Sequence, residues 1–214
     1  MRILVTNDDG IESTGLHVLA QRLAHIGEVV VFAPSAEYSG AGAAIGHLSA
    51  GIADVHHVER AEMPDVQSAH HLDAPPALAS LLACQGLLGP APDLVVSGVN
   101  HGPNVGDDVS YSGTASAALE GCLMGIPSIA FSHIDPKTPD FTDAAGYAPV
   151  IAQEVLTRGL PARVYLNVNF PQRPPGGVEG VRVTTLGQRW YDDAIVESKD
   201  PRGKSYYWIG GSGF

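Results

Sequence analysis

The chain has 214 residues, of which 44% are hydrophobic and 16% charged, and 12 Lys and Arg against 23 Asp and Glu give a net charge of −11 at pH 7. This composition excludes a disordered acidic tail, because it supplies enough apolar side chains to bury the core of a folded domain. It also disfavours nucleic-acid polymers and anionic membranes as partners, because both are bound through clusters of Lys and Arg.

Apolar strands and helices alternate along the first 170 residues. In chain order the pattern predicts strand 2–6, helix 15–24, strand 28–33, helix 77–88, strand 93–99, helix 115–124, strand 127–132, helix 147–158 and strand 163–169. Continuous apolar strands that alternate with helices are typical of a parallel sheet covered by helices on both faces. We therefore predict an α/β fold, a three-layer sandwich around a mostly parallel, Rossmann-like sheet. Its ligands should bind beyond the carboxyl ends of the strands.

The last quarter of the chain differs in composition, with a turn rich in Pro and Gly at 174–177 followed by alternating polar and apolar residues. We predict a β-rich extension over 171–214, in the same structural domain as the α/β core over 1–170. The pattern leaves open whether this ribbon projects from the sheet or folds back on the core. If it projects, its aromatic side chains, among them Trp190, Tyr207 and Trp208, form the interface of a homodimer or homotetramer.

Cysteine and histidine spacing gives no sign of a zinc site. Cys84 and Cys122 each lie in an apolar stretch and are interpreted as buried thiols. The patterns of paired Cys or of His–Glu–x–x–His are absent from the sequence, and the His pairs at 56–57 and 70–71 are expected at the surface. Because the first residues do not form a signal-peptide pattern, a reducing cytoplasm is the expected location.

The strongest local feature is the run Asn7-Asp8-Asp9-Gly10, which follows the first predicted strand directly. Two adjacent carboxylates repel each other, and a bound cation would neutralise them. Gly10 allows the backbone to turn close to that cation. Asp-Asp-Gly is also an ordinary turn sequence, so this run alone leaves both interpretations open.

Loops rich in Gly, Ser, Asn and Thr follow the other predicted strands, at 34–40, at 97–106 and at 107–114. All of them should gather at one edge of a parallel sheet. The turn Ser112-Gly113-Thr114 precedes a predicted helix, where backbone N–H groups and hydroxyls form a phosphate site. Ser112 or Thr114 can also be the N-cap of that helix, and the two interpretations are compatible.

Five segments resemble the SurE family, the stationary-phase survival proteins: VTNDDGI, APSAEYSGAG, PDLVVSGVNHGPNVGDDVSYSGTASAALEG, LNVNFP and DPRGKSYYWIGG. They span the chain from residue 1 to about 211. The family consists of metal-dependent 5′/3′-nucleotidases. The resemblance implies one divalent cation per subunit, held by Asp8, Asp9, Ser39 and Asn100. It also implies that Gly40, Asn104, Ser112, Gly113 and Thr114 surround the phosphate.

The residue types agree with this chemistry. Two carboxylates, a hydroxyl and an amide form an all-oxygen site, which suits Mg²⁺ or Mn²⁺ and not zinc. Such a cation polarises the phosphate and orients an attacking water. The turn at 112–114 would stabilise charge on the other phosphate oxygens. Asp8 or Asp9 can act as general base, and the sequence does not distinguish them.

We therefore expect a phosphatase that hydrolyses nucleoside 5′- and 3′-monophosphates by direct attack of water. The alternative is a non-catalytic module that binds nucleotides or anions as a sensor. A haloacid-dehalogenase-like phosphatase with an aspartyl nucleophile is disfavoured, because that family needs Asp-x-Asp and this chain has adjacent aspartates at Asp8 and Asp9.

Two regions depart from the family pattern. Where the family has Gly-Thr-Pro-Ala-Asp-Cys, this chain has the run DAPPAL at 73–78, so base recognition or helix packing is expected to differ there. Relatives also continue beyond the position of Phe214 with an acidic stretch and a strand. We expect this difference to alter the family's tail-mediated contacts between subunits and not the metal site.

Overall fold

The structure, a computed structural model, describes residues 1–46, 53–59, 63–134, 140–171, 177–189 and 195–209. The α/β core contains strands β1 (Arg2–Thr6), β2 (Glu28–Pro34), β3 (Val55–Val58), β4 (Ser68–Leu72), β5 (Leu94–His101), β6 (Ser128–His133) and β7 (Leu166–Phe170). Its helices are α1 (Thr14–Leu23), α2 (Pro76–Cys84), α3 (Gly113–Leu123) and α4 (Thr142–Arg158), with a 3₁₀ helix at Gly106–Ser110. A separate antiparallel pair, β8 (Ile195–Lys199) and β9 (Ser205–Ile209), follows.

The core is one seven-stranded sheet in the order β3-β4-β2-β1-β5-β6-β7. Every neighbouring pair is parallel except β3 and β4 at one edge. Strand order reverses at β1, because β2 lies on one side of it and β5 on the other. The predicted mostly parallel α/β sheet is confirmed, and this reversal marks the usual position of a ligand crevice.

Helices cover both faces of the sheet, which explains why its central strands are apolar throughout. Ile3 and Leu4 are consecutive in β1 and both are buried, yet they belong to opposite apolar layers. The Ile3 layer packs against α1 and α4, and the Leu4 layer packs against α2. Helix α3 contacts α2 and lies on the same side. The sandwich therefore has the three predicted layers.

Helix α3 approaches the sheet closely because its sequence, GTASAALEGCL, is rich in small residues. A Cβ atom at Gly121 would lie 2.5 Å from Ser128 Oγ and 2.7 Å from Val95 Cγ2. Any larger residue there would push the helix away from β5 and β6. Glycine at this position thus allows α3, whose N-terminus carries the predicted phosphate turn, to pack close to the sheet.

The strands β3 and β4 were not predicted from the sequence. Both are short and each carries a His pair, and their register places His56 opposite His71 and His57 opposite His70. The rings of His56 and His71 stack with centroids 5.0 Å apart. His56 and His57 are exposed, as expected, whereas His70 and His71 are half-buried.

Beyond the core, β8 and β9 form a two-stranded ribbon whose described side chains are mostly exposed. Tyr207 and Trp208 are 59% and 64% exposed. Of the two arrangements that the sequence left open, the structure therefore has the projecting ribbon. Trp190 lies outside the described residues.

Cys84 and Cys122 are buried free thiols, as predicted. Burial raises the pKa of the Cys84 thiol to about 12, so this group is an unreactive part of the apolar core. In the described ranges, no helix is both long enough and apolar enough to cross a membrane.

Candidate metal and phosphate site

The loops after β1 and β2 touch at the carboxyl edge of the sheet. Gly10 has φ of +95°, and a Cβ atom there would lie 3.1 Å from the carbonyl carbon of Ala36. The Tyr38 N–H donates to the Asp8 carbonyl oxygen at 2.7 Å. Ser39 and Gly40 come next in the chain and are exposed. The loop that carries Ser39 therefore contacts the loop that carries the two aspartates.

Asp8 is buried, with 3% of its surface exposed, and its carboxylate is held by the start of α3. It accepts hydrogen bonds from the Thr114 hydroxyl and from the backbone N–H groups of Thr114 and Gly113. A Cβ atom at Gly113 would lie 2.7 Å from the Asp8 Cβ, so this contact requires glycine. Burial raises the pKa of Asp8, and these hydrogen bonds oppose the rise.

Asp9 lies beside Asp8 and is more accessible. Its carboxylate accepts a long hydrogen bond, 3.4 Å, from the His101 N–H. Burial, and next the charge of Asp8, raise the pKa of Asp9 to about 6, while the His101 N–H lowers it. Two carboxylates this close and this desolvated are costly to ionise together without a cation.

Asn100 presents its amide oxygen to the same point. Its Nδ2 donates to the Gly102 carbonyl oxygen at 2.9 Å, and its Oδ1 lies 3.3 Å from the Thr114 hydroxyl oxygen. The hydroxyl of Thr114 therefore lies between oxygen atoms of Asp8 and Asn100. Carboxylate and amide oxygens converge here, as they do around a hard divalent cation.

The donor set fits Mg²⁺ or Mn²⁺ better than a softer metal. Among the residues that the structure describes, no three His, Cys, Asp or Glu side chains form a group that could hold a metal ion. A cation at Asp8 and Asp9 would therefore take further ligands from neutral oxygens such as those of Asn100 and Ser39. Neutral oxygen ligands of this kind are common for magnesium and rare for zinc.

The predicted phosphate turn starts α3, and Ser112 is its N-cap. The Ser112 hydroxyl accepts from the Ala115 N–H at 3.0 Å. The loop after β2 crosses this turn, because the Gly42 N–H donates to the Tyr111 carbonyl oxygen at 2.9 Å. The N–H groups of Gly113 and Thr114, expected to serve a phosphate, contact Asp8 instead.

Asn104 lies in the loop after β5 and is 7% exposed. Its side-chain amide donates to the Ser132 hydroxyl at 2.8 Å. Its backbone is contacted by Asn167 and Asn169 of β7. Sequence reasoning gave these two residues no role, although the alternation of Leu166–Phe170 places both on one face of the strand.

The segment 187–189 also reaches the site loops, which the sequence did not indicate. The Arg189 guanidinium pairs with the Asp108 carboxylate at 2.5 Å, and the backbone N–H of Arg189 donates to the Asp107 carboxylate at 3.3 Å. A Cβ atom at Gly106 would lie 3.1 Å from the Gly187 carbonyl oxygen. The 3₁₀ helix between the Asn104 loop and the phosphate turn is therefore supported from the C-terminal part of the chain.

The unusual run at 73–78 borders the same site. The Tyr38 hydroxyl donates to the Asp73 carboxylate at 2.9 Å. Pro76 begins α2, and its Cγ lies 3.1 Å from the position of a Cβ atom on Gly113. Because proline has no N–H, α2 offers one backbone donor fewer at this edge than an ordinary helix.

Comparison with known proteins gives one consistent result. The family model described as "Survival protein SurE" matches residues 3–193. The 5′-nucleotidase SurE of Moorella thermoacetica is 44% identical over 211 residues, which cover 99% of this chain and 80% of that protein. The 5′-nucleotidase SurE of Geobacter sulfurreducens is 45% identical over 214 residues, covering 99% and 78%. The crystal structure of the SurE protein from Aquifex aeolicus matches with a TM-score of 0.82 and 37% identity, covering 99% of this chain and 82% of that one.

Proposed function

The chain belongs to the SurE family, and from this premise we propose that it is a phosphatase that hydrolyses nucleoside 5′- and 3′-monophosphates with a divalent cation. The similar proteins named 5′-nucleotidase support the substrate class. The observation that carries the proposal is the convergence of Asp8, Thr114 and Asn100 oxygens beside Asp9.

We propose that Asp8, Asp9, Ser39 and Asn100 hold one Mg²⁺ or Mn²⁺ per subunit. When bound, the cation supplies Lewis-acid polarisation of the phosphate and lowers the pKa of a water. The chain's own contribution is to orient the Asp8 carboxylate and to oppose the rise of its pKa on burial. Thr114 and the α3 N-terminus donate to that carboxylate, and the helix dipole favours its negative charge.

We assign proton acceptance from the attacking water to Asp9. The Asp8 carboxylate is already engaged by Thr114 and Gly113, whereas Asp9 accepts the long bond from His101. Direct attack of water then needs no covalent aspartyl intermediate.

Phosphate oxygens are expected beside the first turn of α3, near Ser112–Thr114, Gly40 and Asn104, where the phosphate would share with Asp8 the N–H groups of Gly113 and Thr114. Of these residues Gly40 is exposed and Asn104 is buried. Release of inorganic phosphate from adenosine 5′- and 3′-monophosphate, measured with Mn²⁺ and then with EDTA, tests the proposal. Hydrolysis that persists unchanged in EDTA would overturn the metal-dependent mechanism.

The second candidate is a non-catalytic sensor of nucleotides or anions. It is favoured by the altered run at 73–78, since Asp73 and Pro76 contact Tyr38 and approach Gly113 at the rim of the site. Calorimetry separates the two candidates. A sensor binds the nucleotide without turning it over with any divalent metal, whereas the phosphatase releases phosphate with Mn²⁺.

We propose further that 1–170 forms the catalytic core and 171–214 an oligomerisation ribbon of the same structural domain. The exposed aromatic side chains of Tyr207 and Trp208 support a homodimer or homotetramer through the ribbon. The free thiols support a cytoplasmic location. Nucleic-acid polymers and membranes remain disfavoured by the net charge.

A further inference from the structure

We propose that Asn169, assisted by Asn167, is the positioning residue that holds Asn104 and the loop 102–106 in place beside the phosphate. The proposal rests on the proposed function for the identity of the ligand. The positioning itself is a property of the chain that can be measured without turnover.

A single side chain satisfies both backbone polar groups of Asn104. Asn169 Oδ1 accepts from the Asn104 N–H at 2.9 Å, and Asn169 Nδ2 donates to the Asn104 carbonyl oxygen at 3.0 Å. Asn167 Nδ2 donates to the same carbonyl oxygen at 2.9 Å. The amide of Asn169 thus takes the place that a neighbouring backbone would occupy in a β-ladder.

The side chain of Asn104 is fixed as well. Its Nδ2 donates to Ser132 Oγ at 2.8 Å, and Ser132 lies in register with Asn100 across β5 and β6. Four hydrogen bonds from two neighbouring strands therefore fix one loop residue. The proposed cation ligand Asn100 and the proposed phosphate residue Asn104 share β6 as their support.

The loop needs this support because its own backbone is irregular. It begins and ends at Gly102 and Gly106, whose φ angles are +121° and +57°. Residues 103–105 belong to neither a helix nor a strand. A glycine-flanked loop has many conformations available when it is not held, and ordering it has an entropic cost.

The alternation within β7 shows that the asparagines face the loop and not the apolar core. Leu166, Val168 and Phe170 pack with the layer of α1 and α4, so Asn167 and Asn169 point to the other face. Amide groups removed from water are costly unless they are hydrogen-bonded. Asn169 uses both ends of its amide. Asn167 Oδ1 has no partner among the described residues, so Asn169 contributes more than Asn167 to holding Asn104.

The decisive variants are Asn169→Ala, which removes both bonds, and Asn169→Asp, which keeps the shape and the acceptor but loses the donor to the Asn104 carbonyl oxygen. Asn167→Ala removes one bond and is the milder, matched comparison. Asn169→Gln retains both functional groups and should restore part of the effect. If Asn169→Ala does not fold, Asn169→Asp and Asn167→Ala carry the test.

Two measurements together identify positioning. Hydrogen exchange of the 102–106 loop should accelerate at least about tenfold in Asn169→Ala and less in Asn167→Ala. In Asn169→Ala the inhibition constant of inorganic phosphate and the KM for the nucleotide substrate should each rise by about tenfold. The dissociation constant of Mn²⁺ should stay within about twofold of the wild-type value. A merely structural role would instead weaken Mn²⁺ binding in parallel with phosphate binding.

Unchanged loop exchange in Asn169→Ala would overturn the proposal, and so would a phosphate inhibition constant within twofold of the wild type. Failure of the proposed function is a separate result. If the wild-type protein hydrolyses no nucleotide, phosphate affinity is measured by calorimetry instead of inhibition. Loop exchange still decides whether Asn169 holds Asn104.

Discussion

The loops at the carboxyl edge of the sheet and the C-terminal ribbon differ in where their side chains make contacts. At the edge, Asp8, Asn104 and Thr114 are buried and hydrogen-bonded to other parts of the same chain. In the ribbon, Tyr207 and Trp208 are largely exposed. A single subunit therefore contains the proposed chemistry, whereas the ribbon leaves aromatic surface exposed. The predictions below test this separation.

The largest effect is expected for Asp8→Asn. The substitution keeps the shape but removes the charge that Thr114 and Gly113 orient. Turnover with Mn²⁺ should fall by roughly a hundredfold or more, as when a key electrostatic group is lost. Steady-state phosphate release measures it. Asp65→Asn, an exposed aspartate that accepts from Gln21, is the matched control. Activity of Asp8→Asn within a few-fold of the wild type would contradict the assignment.

Thr114→Val should have the next largest effect. The hydroxyl lies between Asp8 and Asn100, and valine keeps the volume without the donor. We expect turnover to fall between about tenfold and a hundredfold, the range for a buried hydrogen bond to a charged group. Thr114→Ser retains the hydroxyl and should stay close to the wild type. Equal losses in both variants would show that packing, and not the hydroxyl, matters.

A smaller effect is expected from pH on the metal-free protein. The pKa of Asp9 rises from 3.8 to about 6 on folding, so the folded state binds this proton more tightly than the unfolded chain. The contribution of Asp9 to the free energy of unfolding should therefore fall as pH increases from about 4 to about 6. Thermal melting of EDTA-treated protein and of Asp9→Asn across this window isolates the contribution. Mn²⁺ should restore stability above pH 6, where it neutralises the ionised Asp9 carboxylate. Identical pH profiles for the two proteins would refute the shift.

The smallest effect on chemistry is expected from the ribbon. Replacing Tyr207 and Trp208 by Ser should dissociate the oligomer, with activity per subunit within about twofold of the wild type. Light scattering during gel filtration measures the mass, and Leu87→Ser, an exposed apolar position on the core, is the control. A wild-type protein that is already monomeric at micromolar concentration would rule out the ribbon interface. A large loss of activity on dissociation would show that the two regions are not separate.

The fold could be predicted largely because the central strands are continuous apolar runs bounded by turns. Strands β3 and β4 escaped prediction, since four or five residues with paired histidines lack a periodic apolar pattern. Helix α4 was predicted to begin at 147, but it begins at Thr142, and Pro149 lies within it. Local signals near a proline favour a helix start and not a helix interior.

At the site, the sequence placed Asp8 and Asp9 at the carboxyl edge of the sheet, and the set Asp8, Asp9, Ser39 and Asn100 came from the family resemblance and stays a prediction. The contacts that orient the aspartates were not predicted. The hydrogen bond from Thr114 to Asp8 joins residues more than a hundred positions apart in the chain. The N–H groups at the start of α3, which were expected to contact a phosphate, also reach Asp8 across this distance. The contact of Asn169 with Asn104 likewise depends on the strand that lies beside β6 in the sheet, which is β7. Such contacts depend on which segments of the chain meet in the folded protein, and the composition of a segment does not predict that.

The ion pair between Arg189 and Asp108 has a consequence for how the chain can be shortened. Arg189 lies beyond the α/β core yet contacts the 3₁₀ helix beside the phosphate turn. A protein cut after residue 170 would lose this ion pair together with the ribbon, whereas one cut after residue 189 would retain the ion pair. A fragment that keeps this support of the site loops must therefore extend at least to Arg189, some twenty residues past the last strand of the sheet.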